Sequence, residues 1–329
     1  SIPDSVTVIG KHAFRYCTQL NFVKLSKNIT EIPAACFSNC PELTNISFPE
    51  GLQAIGQDAF LGCVKLSDLR LPSTLTSIGG YAFYGCSSLT SLILPDGLLS
   101  IGEYAFYSTD MLYVFIPESV TSIGSQAFSS RYLFCETATK PEGWAIYSGD
   151  AYTRYGTPHF DEFLFVDDVD ILYGIRTNEE GLLEAEILAY FGEGTSITLS
   201  GTVETDSGEA TVTSIGDHAF NSTSITEIVI PDTVLTIGYA AFANCFDLLR
   251  VDMGKGVKTI GGSAFLDCLS LNTMIFSTSL ETIGEYAFSG CSSLPKYLIL
   301  PDSLVSIGGY AFYSCDQLMA VFLSENVEQ

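Results

Sequence analysis

A 23-residue sequence repeat is the feature that most limits what this chain can fold into. One unit, 94–106, ends in Ile101-Gly102-Glu103-Tyr104-Ala105-Phe106, and its variants recur with one phase. An isoleucine stands five residues before each anchoring phenylalanine: Phe14, Phe37, Phe60, Phe83, Phe106, Phe128, Phe220, Phe242, Phe265, Phe288 and Phe312. Because the copies keep one period, we predict stacked repeat units.

Each unit contains the signals of a short strand and a turn. Leu89, Leu92 and Leu94 form an L-x-x-L-x-L pattern typical of a half-buried strand, and Pro95 ends it because proline cannot donate to a ladder. Gly102 is expected to supply a backbone angle denied to other residues, and a short helix-like turn follows it. One coil alone exposes its apolar side, so coils must stack into a solenoid with a parallel strand ladder.

The unit 78–96 resembles the leucine-rich repeat of BspA-like bacterial surface proteins, the Treponema pallidum type, through its I-G-x-x-A-F-x-x-C-x-x-L signature. The resemblance implies an α/β solenoid, a right-handed leucine-rich-repeat superhelix of about 23-residue coils with a parallel strand ladder. It also implies a secreted or cell-surface protein that adheres to host or neighbouring-cell proteins.

The repeat signature is interrupted in the middle of the chain. We predict a first repeat block of six repeats at 1–131, an irregular β-rich bridging segment at 132–212 and a second block of five repeats at 213–329. The signature is missing for 92 residues, four times 23, so degenerate coils that continue the stack in phase are the alternative. The stretch 136–144 is similar to linkers between repeat blocks, yet Trp144 is expected to pack.

Composition and charge exclude several classes of partner. The chain has 38 acidic against 14 basic residues, a formal net charge of −24, so it repels nucleic acid. The chain has no apolar run of about 20 residues, so direct insertion into a membrane is not expected. Both ends fall within a repeat, so we expect the natural protein to extend further and a signal peptide to lie in the missing part.

The cysteines predict a buried file and not a disulfide framework. Most stand three residues after the repeat phenylalanine, where parallel side chains lack the geometry of a disulfide: Cys17, Cys40, Cys63, Cys86, Cys245, Cys268, Cys291 and Cys315. Thr109 and Thr223 replace cysteine in the same column. Cys36 and Cys135 lie outside it and are interpreted as core residues, with a reactive thiol as the alternative.

No motif predicts catalysis, and no cofactor is expected. His159 beside Asp161 is the one histidine placed to act as a base, but no nucleophile motif accompanies it. Asp167, Asp168 and Asp170 concentrate oxygen atoms and are a weak Ca²⁺ candidate, because the sequence lacks the glycine and distal glutamate of an EF-hand loop. We therefore expect no enzyme and no established metal site. The alternative to this expectation is an enzyme in the central segment around His159.

Binding residues are expected beside the buried middle residue of each strand. The candidates are the apolar and aromatic side chains at these positions: Phe22, Ile93, Tyr113, Phe115, Tyr297, Ile299 and Phe322. Their alternative role is to be covered by the central segment or by further repeats. A second file of tyrosines (Tyr81, Tyr84, Tyr104, Tyr107, Tyr286, Tyr310 and Tyr313) is interpreted as sealing the gaps between coils.

These observations favour a non-enzymatic binding scaffold over the other classes of function. The expected partners are host or neighbouring-cell surface or extracellular proteins. A carbohydrate-binding module is the alternative, since exposed tyrosine or tryptophan also stacks on glycans; Tyr113, Tyr297 or Trp144 would form that platform.

Overall fold

A computed structural model of the chain describes residues 1–67, 69–130, 132–137, 140–144, 152–155, 160–166 and 168–323. The chain divides into two compact units, Ser1–Pro158 (unit 1) and His159–Gln329 (unit 2). Both units are built from coils with parallel strand ladders, so the predicted solenoid is confirmed. The described residues contain no α-helix.

Unit 1 contributes two short strands from most of its coils. The strands are Phe22–Lys24 (β1), Glu31–Ile32 (β2), Asn45–Ser47 (β3), Ala54–Ile55 (β4), Ser77–Ile78 (β5), Ser100–Ile101 (β6), Tyr113–Ile116 (β7), Ser122–Ile123 (β8), Tyr132–Cys135 (β9) and Tyr152–Tyr155 (β10). The isoleucine strands form one parallel sheet in the order β2-β4-β5-β6-β8. On the L-x-x-L-x-L side, β1 pairs with β3 and β7 pairs with β9, which pairs with β10.

Unit 2 begins with long strands and continues with coils. Its strands are Glu162–Val166 (β11), Ile171–Thr177 (β12), Leu183–Tyr190 (β13), Ser196–Thr198 (β14), Thr202–Thr205 (β15), Gly208–Ile215 (β16), Glu227–Val229 (β17), Thr236–Ile237 (β18), Arg250–Asp252 (β19), Thr259–Ile260 (β20), Thr273–Ile275 (β21), Thr282–Ile283 (β22), Tyr297–Leu300 (β23), Ser306–Ile307 (β24) and Ala320–Leu323 (β25). Strands β11, β12 and β13 are antiparallel neighbours.

Strand β13 joins this antiparallel start to the parallel isoleucine ladder. It pairs in parallel with β16, with Ile187 opposite Ile215, and the sheet continues through β18, β20, β22 and β24. A second parallel sheet follows the order β14-β17-β19-β21, and β23 pairs separately with β25. Ladders in both units thus extend beyond the residues that carry the repeat signature.

Stacked aromatic rings form the centre of each core. In unit 1 the rings of Phe60 and Phe83 lie 5.1 Å apart with nearly parallel planes, and the other repeat phenylalanines continue the stack from Phe14 to Phe128. Unit 2 repeats this arrangement from Phe220 to Phe312. Each aromatic pair contributes about 0.5–1.5 kcal/mol beyond the area it buries, so the stack ties successive coils together.

The predicted helix-like turn is a series of turns linked between coils. The amide nitrogen of Tyr81 donates to the carbonyl oxygen of Glu103 (2.8 Å), and that of Phe83 donates to Ala105 (2.7 Å). The residue two before the phenylalanine has a left-handed φ in coil after coil, for example 56° at Tyr81 and 52° at Tyr104. Such a conformation is costly for a side chain larger than glycine, and the hydrogen bonds between coils stabilise it.

The expected reason for the glycine that follows every repeat isoleucine except Ile32 is wrong. Gly102 does not adopt a left-handed φ. A Cβ atom at this position would lie 2.2 Å from the backbone nitrogen of Gly80 in the preceding coil, and one at Gly124 would lie 2.2 Å from that of Glu103. Glycine is required here because adjacent coils approach too closely for a side chain.

Candidate binding surfaces

The strand positions that flank each buried middle residue form the candidate surface. In β1 and β17 the middle residue is buried and both neighbours are exposed, as alternation along a strand requires. The L-x-x-L-x-L side of each unit therefore presents variable residues, while the invariant apolar positions fill the core.

In unit 1 the predicted binding residues differ in exposure. Phe22 is 53% exposed and Ile93 is 84% exposed, so both side chains are available to a partner. Tyr113 and Phe115 are half-buried. The ring of Phe115 stacks on Phe134 of β9 at 4.9 Å, and Tyr113 contacts Phe115 edge-on at 5.6 Å. Burial raises the pKa of Tyr113, as expected for a phenol removed from water.

Unit 2 carries an exposed apolar patch on β23 and β25, which we call the strand-face patch: Tyr297, Ile299 and Phe322. These side chains are 62%, 49% and 38% exposed. Ile299 lies opposite Phe322 in the parallel pair, and the rings of Tyr297 and Phe322 are 6.4 Å apart. The three residues therefore form one continuous apolar surface, the kind that anchors protein partners.

The strand face of unit 2 also carries charge. On β19 the guanidinium of Arg250 lies 3.7 Å from a carboxylate oxygen of Asp252, and Glu227 of β17 is the lateral neighbour of Arg250. An exposed pair of this kind contributes little to stability. The pair places opposite charges on the sheet β14-β17-β19-β21, which is separate from the β23-β25 pair that carries the strand-face patch.

A polar cavity of about 410 Å³ opens beside β3 in unit 1. Its lining includes Asn45 and Ser47 from β3 together with Glu50 and Arg70. The cavity thus combines a carboxylate and a guanidinium with neutral polar groups. Asp68, two residues before Arg70 in the sequence, lies outside the described residues.

The cysteine column consists of free thiols, as the sequence predicts. The Sγ atoms of Cys40, Cys245 and Cys291 donate to phenylalanine carbonyl oxygens of the preceding coil at 3.0–3.1 Å. Cys36 and Cys135 are also buried. Burial raises the pKa of both thiols to about 12, which keeps them protonated and poorly nucleophilic at neutral pH.

The residues considered for chemistry do not form a described catalytic or metal centre. His159 and Asp167 lie outside the described residues. Asp168 and Asp170 are exposed, and no group of three or more potential ligands occurs in the part of the chain that was searched. The carboxylate of Asp161 accepts a hydrogen bond from the backbone of Thr177 at 2.8 Å, which helps to hold β11 against β12.

The two remaining histidines occupy turn positions. His12 is exposed, and His218 contacts the ring of Tyr239 edge-on at 5.5 Å. Nδ1 of His218 lies 3.3 Å from the side-chain amide of Asn221.

Among the described residues no helix is long and apolar enough to cross a membrane.

Trp144 is buried, as the sequence predicts, but its repeat position and that of Tyr190, both in irregular coils, were not predicted. Trp144 forms a parallel bridge with Ile123, and its Nε1 donates to the carbonyl oxygen of Val120 at 3.1 Å. Tyr190 stacks on Phe220 at 5.3 Å and so takes the phenylalanine position. Both are large aromatic residues beside the repeat blocks, and this was the available signal, but their spacing departs from 23.

Together the stacked coils, the isoleucine ladders and the variable strand face define a leucine-rich-repeat solenoid. A family model described as the BspA type leucine rich repeat region matches residues 1–69 and 213–329, in six copies. The chain belongs to this BspA-type leucine-rich-repeat family.

Solved structures of similar proteins come from several bacteria. A leucine rich cell surface protein of Faecalibacterium prausnitzii is 28% identical over 99% of this chain and 79% of its own, with a TM-score of 0.47. The Treponema pallidum leucine rich repeat protein is 29% identical over 50% of this chain and 70% of its own (TM-score 0.40). The pneumococcal vaccine antigen PcpA is 20% identical over 92% and 68% (TM-score 0.41). No curated protein matches the sequence.

Proposed function

We propose that this chain is a non-enzymatic scaffold of a bacterial cell-surface or secreted protein, and that it adheres to an extracellular protein through the strand-face patch of unit 2. The observation that carries the proposal is the exposure of Tyr297, Ile299 and Phe322 side by side on β23 and β25. Exposed aromatic residues at the centre of an apolar patch are the usual anchors of protein interfaces. The chain belongs to the BspA-type leucine-rich-repeat family, and its repeats resemble those of BspA-like bacterial surface proteins, which supports the proposed location.

The remaining surface supports a protein partner over a glycan. Of the three aromatic residues considered for sugar stacking, Trp144 is buried and Tyr113 is half-buried, so only Tyr297 offers an open ring. Ile299 beside it is aliphatic and cannot stack on a sugar ring. A patch of mixed aromatic and aliphatic side chains suits an apolar protein surface.

The test is a binding screen of the 329-residue chain against immobilised extracellular matrix and host surface proteins, with a glycan array in parallel. For a protein hit, Tyr297→Ala and Ile299→Ala are each expected to weaken binding at least tenfold. Tyr239→Ala is the matched control, because Tyr239 is an exposed tyrosine of the same unit outside the strand face. Equal loss in the control, or a hit on the glycan array alone, contradicts the proposed surface.

Two further measurements address the other parts of the proposal. Antibody labelling of intact cells tests the surface location, since an internal protein is labelled only after lysis. The chain is also assayed for turnover of hydrolase substrates. If it turns one over, and the activity is lost in His159→Ala but kept in His12→Ala, the protein is an enzyme of the central segment and not a scaffold.

A further inference from the structure

Adjacent coils of unit 1 form a small aromatic corner with a carboxylate at its edge. The rings of Tyr81 and Tyr104 are stacked with centroids 5.0 Å apart, and Tyr107 stands nearly perpendicular to Tyr104 at 5.5 Å. The side chain of Glu103 lies over Gly80, because a Cβ atom at Gly80 would be 3.3 Å from its Cγ. We call Tyr81, Tyr104, Tyr107 and Glu103 the unit 1 tyrosine–glutamate cluster.

Unit 2 contains a related set of residues, although it has no counterpart of Tyr84, which in unit 1 stacks on Tyr107 at 5.9 Å. Tyr286 and Tyr310 are stacked at 5.0 Å, and Tyr313 stands perpendicular to Tyr310 at 5.9 Å. Glu285 lies next to Gly309, with its carboxylate oxygen 3.8 Å from where a Cβ atom would be. Tyr286, Tyr310, Tyr313 and Glu285 form the unit 2 tyrosine–glutamate cluster.

The two clusters differ in which coil carries the glutamate. In unit 1 the coil with glycine, Gly80-Tyr81, precedes the coil with glutamate, Glu103-Tyr104, whereas in unit 2 Glu285-Tyr286 precedes Gly309-Tyr310. A glutamate coil and a glycine coil therefore lie side by side twice in opposite order, while the third tyrosine belongs to the second coil in both clusters. Glycine leaves the space that the glutamate side chain of the neighbouring coil occupies.

The chemistry of these clusters suits a cation. Two ring planes lie nearly at right angles in each cluster, and a cation within about 6 Å of an exposed ring face is attracted by the ring quadrupole. A carboxylate at the edge of each cluster attracts a cation directly. The two stacked tyrosines cover each other's ring faces, which a sugar would need for stacking. Among the described residues neither Glu103 nor Glu285 has an ion-pair partner.

The surrounding sequence contains almost no competing positive charge. Residues 71–130 hold no lysine or arginine, and Lys296 is the only one in 259–323. The net charge of −24 adds a long-range attraction for a basic partner. We propose that the two tyrosine–glutamate clusters are binding sites for arginine or lysine side chains of a basic polypeptide segment. This proposal is independent of the strand-face patch.

The experiment measures binding of fluorescein-labelled hexa-arginine and hexa-lysine peptides to the 329-residue chain by anisotropy, at low and physiological salt. A hexa-glutamate peptide serves as the negative control. Both basic peptides are expected to bind, and to bind less tightly as salt rises. Removing one ring from each cluster, in Tyr81→Ser with Tyr310→Ser, is expected to weaken binding about 3- to 10-fold. These variants should fold, since Ser263 occupies the same position with the same left-handed φ.

A pair of double variants separates site binding from bulk charge. Glu103→Gln with Glu285→Gln removes two charges from the clusters, while Asp96→Asn with Glu281→Gln removes two charges from exposed positions elsewhere. The first pair is expected to weaken binding at least threefold and the second to leave it within twofold. Three outcomes would overturn the proposal: both pairs weaken binding equally, the basic peptides do not bind, or a neutral oligosaccharide binds more tightly and displaces the peptides. Thermal unfolding of every variant confirms that the fold is kept.

Discussion

The Sγ atom of Cys63 donates a hydrogen bond across 3.2 Å to the carbonyl oxygen of Phe37 in the preceding coil. Cys86 and Cys268 donate in the same way to Phe60 and Phe242. Where threonine replaces cysteine, the hydroxyl of Thr109 instead donates within its own coil, to Phe106 at 2.9 Å. The cysteine column therefore connects coils, which explains why a free thiol and not a disulfide fills it.

The first prediction concerns thiol reactivity. Nine of the ten cysteines are buried and Cys17 is half-buried, so the native chain is expected to react with Ellman's reagent at pH 8 at no more than Cys17. All ten thiols should react in denaturant. Cys17→Ser is the control and should abolish the native reaction. Rapid modification of several thiols under native conditions would contradict the buried column.

The second prediction is a loss of stability at alkaline pH. Burial raises the pKa of Cys63 from 9.0 to about 12, so the unfolded chain releases this proton first as pH rises. The free energy of unfolding should be insensitive to this thiol below pH 9. Between pH 9 and 12 it should fall by about 1.4 kcal/mol per pH unit for each such thiol.

Urea denaturation at several pH values checks this slope. Tyr173, whose pKa burial also raises to about 12, adds to the loss with the same sign. The comparison is therefore between the parent chain and Cys63→Ala, whose slope should be shallower by one thiol. Parallel curves above pH 9 would show that Cys63 is not protected.

The regular coils were predictable from sequence, while the irregular ones were not. The isoleucine and cysteine columns follow from one period, and strands β12 and β13 lie within the segment predicted to be β-rich. The repeat positions of Trp144 and Tyr190 were not predicted because their coils differ in length from the repeat: the structure pairs Trp144 with Ile123 and stacks Tyr190 on Phe220. Length changes are absorbed in turns, and which aromatic residue then enters the stack depends on contacts between coils that a period cannot reveal.

The candidate surfaces show the same limit. The sequence identifies which strand positions point outward, but it treats Phe115 and Ile299 alike. The structure covers Phe115 with Phe134 and leaves Ile299 half exposed. Exposure at these positions is decided by the neighbouring coil, whose residues lie about 20 positions away.

The third prediction tests whether glycine is needed after the repeat isoleucine because adjacent coils approach closely. Gly102→Ala should destabilise the chain by about 3 kcal/mol, because its Cβ would meet backbone atoms of the preceding coil that cannot move independently. Gly10 occupies the same motif position in the first coil, and a Cβ there meets nothing within 4 Å. Gly10→Ala is the matched control and should change stability by less than about 0.5 kcal/mol. Similar unfolding midpoints for the two variants would contradict close approach as the cause.

The fourth prediction tests whether Trp144 is part of the stack or of a loose linker. It is the only tryptophan in the chain, its side chain is buried, and its Nε1 donates to Val120. Native emission is therefore expected to be blue-shifted and poorly quenched by iodide, with a red shift on unfolding. A linker residue would show a red-shifted, readily quenched emission before any denaturant is added.

Two substitutions then separate the packing of Trp144 from its hydrogen bond. Trp144→Phe keeps most of the buried area and loses the bond to the Val120 carbonyl, so it should cost about 1 kcal/mol. Trp144→Ala also opens a cavity and should cost about 3–5 kcal/mol. Circular dichroism during urea denaturation provides the readout, since fluorescence is lost with the indole. If both variants unfold with the parent, the bridge to Ile123 does not stabilise unit 1, and the ladder ends at β8.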